Sequence, residues 1–121
     1  MTEQLGEIFK TIADAEPMHP QLALISDAIF RARDLFYSKN SEYADRGDIL
    51  GNFRRLAAQQ NVPMSTAWFF LAGKHIDVIT QYVKDTRDGV ARERSQPITE
   101  RIDDLVVYSL LLLAIVAEEN H

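Results

Sequence analysis

LVVYSLLLLAIVA, residues 105–117, is the longest apolar run in the chain, broken only by Tyr108 and Ser109. Thirteen helical residues span about 20 Å, whereas a bilayer core of roughly 30 Å needs about 20 residues. The run therefore reads as a buried helix and not as a membrane span. It also extends too far to be an ordinary strand, and no useful alternation of apolar and polar residues accompanies it. Working outward, Pro97 suits the first position of this helix, which continues to about Glu119.

The rest of the chain carries helical periodicity punctuated by proline and glycine. A helix is expected from Pro63 or Ser65 to Arg87, with Gly89 as its stop and the polar stretch Val90–Gln96 after it. Before it, Asp48 can cap a helix over Ile49–Gln60 that ends at Asn61. A polar loop is expected over Asn40–Gly47. Pro20–Lys39 forms a further helix, with Leu22, Ile25, Ile29, Ala32 and Phe36 inward and Asp27, Arg31, Asp34 and Ser38 solvated. A short first helix covers Glu3–Ala13, its stripe made of Leu5, Ile8, Phe9 and Ile12, and Glu16-Pro17 stops it. The predicted fold is all-α: an antiparallel four-helix core with a short extra N-terminal helix, in one domain over residues 1–121.

Composition narrows the function. The 121 residues are 46% hydrophobic and 26% charged, an ordinary globular balance, and the net charge is −5. Duplex DNA requires clustered Lys and Arg, which are scattered and outnumbered here. Cysteine is absent, so disulfides and thiolate metal sites are excluded. With a start, MTEQLGEIFK, that lacks the pattern of a signal peptide, this points to the cytoplasm.

The informative residues are charges embedded in the two most apolar helices. Glu100, Asp103 and Asp104 share a face with Val107, Tyr108 and Leu111, so the acids continue an apolar stripe. Like charges at these spacings repel, and a metal ion or a Lys/Arg partner would relieve them. Both readings stay open. In the preceding helix Lys74 and Asp77 share a face with Phe70 and Gln81. Lys74 either pairs with Asp103 or Asp104 or lines a polar pocket with Asp77. His75 reads as a hydrogen-bonded core residue. Lys39, Arg54 and Arg55 can meet phosphates, Tyr43 can stack on a base and Asn52 can bond a base edge; Tyr43 and Phe53 can equally pack a loop. Nucleophilic catalysis has no support, and His19, His75 and His121 make no zinc signature.

The order of these motifs carries a resemblance. Lys39–Tyr43, Asn52-Phe53, Lys74-His75 and Asp104-Leu105 through Tyr108 resemble small phage and prophage proteins of the nucleotide modification associated domain type. The pattern is also distantly similar to the all-α, MazG-like nucleoside triphosphate pyrophosphatases, and it covers roughly residues 30–115. The resemblance implies nucleotide handling, and together with the residue chemistry above the nucleotide-binding candidates are Lys39, Tyr43, Asn52, Arg54, Arg55, Lys74, Asp77 and Tyr108. It implies modified-base metabolism or the blunting of a host defence signal, in the host cytoplasm if the protein is phage-encoded. It further implies Mg²⁺ on Glu100, Asp103 and Asp104, because MazG-like enzymes hold Mg²⁺ with Glu-x-x-Glu and Glu-x-x-Asp pairs. Glu100-Arg101-Ile102-Asp103 matches the second pair. The first pair has no counterpart; the nearest acids are Asp27 and Asp34. The alternatives are a Mg²⁺-dependent pyrophosphohydrolase and a non-catalytic interaction protein. The last helix is apolar all round, which predicts a homo-oligomer.

Overall fold

Four helices follow one another in the computed structural model, which describes residues 7, 20–43 and 47–121, the side chains of 39–43 excepted. They are α1 (Pro20–Tyr43), α2 (Gly51–Gln60), α3 (Met64–Asp88) and α4 (Ile98–Glu119). Among the described residues there is no strand, and the fold is all-α. Of the expected helix over Glu3–Ala13 only Glu7, helical and exposed, is among the described residues. No described helix is long and apolar enough to cross a membrane.

Helix α4 is central: it packs along α3 and against α1, while α2 packs on α3. Helices α3 and α4 are antiparallel. Ser65, at the start of α3, donates to Glu119 at the end of α4 at 3.0 Å, whereas His75 lies beside Arg101 and Asp104 near its start. The core gathers Leu50 and Phe53 from the α2 region, Trp68 and Ala72 from α3, and Ile115 from α4. Ala67 and Ala72 are fully buried; their small side chains let the neighbouring helices approach α3 closely. The sole tryptophan locks the α3–α4 seam by donating its indole N–H to the Tyr108 main-chain carbonyl at 2.7 Å.

The ends follow local chemistry. Asn61 closes α2 in the left-handed conformation (φ 53°), and its N–H with that of Val62 reaches back to carbonyls of the last turn. Gly89 closes α3 in the same way (φ 66°). Asp48 does tie the start of α2, but from two residues ahead of the cap at Leu50: its carboxylate accepts from the Leu50 N–H at 3.0 Å. Helix α1 extends past the expected stop at Lys39 to Tyr43, since no glycine or proline interrupts it before Gly47.

Candidate functional site

A cleft of about 610 Å³ opens between α1 and the first turns of α4. Arg31, Asp34, Leu35 and Ser38 line it from α1, Gln96 from the preceding loop, and Glu100, Asp103 and Asp104 from α4. The three acids singled out in α4 therefore do share one space. Arg31, Asp34 and Ser38 were expected to be merely solvated; with Leu35, their recurrence at positions 31, 34, 35 and 38 is the helical spacing that could have marked them as one wall.

Asp103 and Asp104 are engaged differently. Asp103 accepts from Arg31 Nε at 3.1 Å and Arg31 Nη2 at 3.4 Å, which raises the pKa of the guanidinium above its ordinary value and leaves Nη1 outside the pair. Asp104 accepts from the Gln96 amide at 3.2 Å, and its carboxylate lies 3.9 Å from His75 Nδ1. Arg31 is thus the cation that relieves the acidic face. Lys74 is not that partner: it is exposed, as is Asp77. One step along α3 turns the side chain by about 100°, and it is His75, only 4% exposed, that faces α4. Arg101 donates to His75 Nδ1 at 3.3 Å. A guanidinium only donates, so Nδ1 is the acceptor and the neutral ring carries its proton on Nε2. Tyr108 packs between His75 and Phe53, with ring centroids 5.1 and 6.4 Å away.

Arg54 and Arg55, expected to meet phosphate, lie elsewhere. Arg54 forms a fork on Glu118 with two contacts of 2.6 Å, and its Nε donates to Asp48 at 2.7 Å. These bonds hold Asp48 and Glu118 below their ordinary carboxylate values. Glu118 is fifteen residues beyond Asp103 on the same helix, about 22 Å along its axis. Within one chain the structure therefore does not bring Arg54 together with the acidic cleft. Arg55 donates to Asn52, its neighbour one turn earlier. The side chains of Lys39 and Tyr43 lie outside the described residues.

Mg²⁺ does not fit the acids as they stand. Among the described residues no three His, Asp or Glu side chains converge as metal ligands, and Asp103 and Asp104 already serve Arg31 and Gln96.

Reading the loop after α3 as simply polar misses a second cluster. Asp85, 4% exposed, accepts from Gln81 at 2.9 Å, from Arg92 at 2.7 and 3.2 Å and from Arg94 at 2.9 Å. Hydrogen bonds from Arg92 and Gln81 pull its pKa down to about 2. Arg94 also lies over the Tyr82 ring, 5.1 Å from its centroid. This clasp holds residues 92–94 against α3 just before Gln96 enters the cleft.

No protein-family model matches the chain, and comparison with curated proteins and with solved structures likewise gives no match.

Proposed function

We propose that the protein binds a small molecule of the nucleoside or nucleotide class in the α1–α4 cleft, as a receptor and without metal. The observation that carries this reading is the gathering of Glu100, Asp103 and Asp104 with Arg31, Asp34 and Ser38 around one space. Its volume falls within the roughly 300–1,000 Å³ usual for small-molecule sites. The nucleotide class and the setting, modified-base metabolism or counter-defence in the cytoplasm, rest on the resemblance of the motifs.

The chemistry of the walls ranks the ligands. Carboxylates accept hydrogen bonds, so four of them suit donors such as sugar hydroxyls and exocyclic amino groups. Among the described residues Arg31 is the cation on the lining, and its Nη1 can meet a single phosphate. A triphosphate would bring several negative charges against four acids. Nucleosides and monophosphates should therefore bind more tightly than triphosphates.

Calorimetric titration with nucleosides, monophosphates and triphosphates, in chelator, tests this order. The expected result is saturable binding of the first two, weakened by Glu100→Gln and Asp104→Asn. No binding by any member would overturn the proposal. Tight triphosphate binding that requires Mg²⁺, with pyrophosphate release, would replace it with the hydrolase reading. A specific observation also favours an interaction role: large apolar side chains stand exposed on three helices.

A further inference from the structure

Among the described residues lining the α1–α4 cleft, Gln96 carries the only amide side chain. Its orientation is fixed by its neighbour. A carboxylate only accepts hydrogen bonds, so the amide nitrogen faces Asp104, at 3.2 Å. One of its two N–H groups is thereby engaged. The other N–H and the amide oxygen take no further partner among the described residues, and the side chain is half-buried. The backbone is held on both sides. Two residues before it, Arg94 donates to Asp85 at 2.9 Å and to the Arg92 carbonyl at 3.3 Å, and lies over the Tyr82 ring. On the other side Pro97 opens α4 and disfavours a helical backbone at Gln96. Only Ser95 and Gln96 stand between these two anchors.

An amide held in this way offers a donor and an acceptor side by side. Every nucleobase has an edge that pairs with such a group, so the amide alone does not choose between bases. Its surroundings do. Adenine and cytosine place an exocyclic amino group beside a ring-nitrogen acceptor. When one amino N–H meets the amide oxygen, the second is left for a carboxylate, and carboxylates dominate this lining. The keto counterparts, hypoxanthine and uracil, place a carbonyl oxygen beside a ring N–H. Their carbonyl oxygen brings a further acceptor towards the acids and no hydrogen to share with them.

We propose that Gln96 is the specificity-determining residue of the cleft and selects an amino-bearing base, adenine or cytosine, over its keto counterpart. Its oxygen accepts from the amino group and its unspent N–H donates to the adjacent ring nitrogen, the pairing by which an amide reads adenine. Glu100, four positions on and part of the same lining, accepts the second amino N–H. The inference rests on the nucleotide reading above and narrows it to one class of base.

The experiment uses the whole chain, titrated calorimetrically in chelator with two matched pairs: adenosine against inosine monophosphate, and cytidine against uridine monophosphate. Sugar and phosphate are the same within each pair, so the ratio of affinities isolates the base edge. The amino member should bind at least about tenfold more tightly in both pairs. Gln96→Leu should bring both ratios to about one with the helical circular dichroism retained. If that variant loses its helices, Gln96→Asn, which keeps the amide but withdraws it by one methylene, takes its place under the same criterion. Wild-type ratios of about one, or ratios that persist in the variant, overturn the inference and leave the nucleotide reading standing. Absence of binding by all four overturns the nucleotide reading and this inference with it.

Discussion

The Trp68 indole N–H donates to the carbonyl oxygen of Tyr108 across the α3–α4 seam at 2.7 Å. The acceptor lies within a helix, so this bond couples the position of one helix backbone to a side chain of the other. Trp68 is 8% exposed, and it belongs to the same core cluster as Phe53 and Ile115.

Trp68→Phe keeps an aromatic ring and removes the donor. It should cost about 1–2 kcal/mol, combining the lost hydrogen bond with a small loss of packing. Trp68→Ala should cost about 3–5 kcal/mol through the cavity. Denaturant unfolding followed by circular dichroism measures both, since the sole fluorescent indole is removed in each variant. Equal costs for the two would show that the ring contributes nothing beyond the bond.

Lys74 and His75 are adjacent in sequence and opposite in environment. Lys74 is exposed, so Lys74→Ala should change stability by less than about 0.5 kcal/mol. His75→Ala removes a buried ring that touches Arg101 and Tyr108, and should cost about 2 kcal/mol. Thermal unfolding of the two variants side by side is sufficient. A larger loss for Lys74→Ala than for His75→Ala would reverse the facing of α3.

Those two residues also show what a linear reading captures. Helix limits depend on local chemistry, and Asn61, Gly89 and the prolines at 63 and 97 marked them to within about two residues. The inward acidic face of α4 was legible because it breaks an apolar periodicity. Which cation meets those acids was not legible, because Arg31 and Asp103 are separated by 72 positions and the periodicity of α3 allowed either Lys74 or His75 to face them. The Trp68 acceptor is a main-chain carbonyl, which no side-chain pattern reveals. The distance between Arg54 and the cleft is likewise a property of assembly: it follows from α2 lying beside the far end of α4.

Gly89 tests one of the legible features. Its φ of +66° is left-handed, and an added Cβ would meet nothing within 4 Å. The cost of Gly89→Ala is therefore conformational and not steric, about 1–2 kcal/mol. Urea unfolding should show that loss with an unchanged denaturant slope. A neutral result would mean that the end of α3 is not held in this conformation.

The Asp85 clasp gives stability a defined response to acid. Its carboxyl is held at about pKa 2 by Arg92, Gln81 and Arg94, against an unfolded value of about 3.9. The folded chain therefore binds this proton less readily than the unfolded chain does. Its contribution is fully present above the unfolded value and is lost as pH falls from about 4 towards 2. Asp48, Asp88 and Glu118 are shifted in the same direction by Arg54 and Arg87, so they add to the trend without reversing it. Asp85→Asn keeps the shape and removes the titration. At neutral pH the variant should melt several degrees below wild type, because Arg92 and Arg94 lose their shared counter-charge. Between pH 4 and 2 its melting temperature should fall less steeply than that of wild type, so the two curves converge. Circular dichroism melts at intervals across that range would measure the convergence. Parallel curves would mean that the clasp does not form in solution and does not hold residues 92–94 against α3.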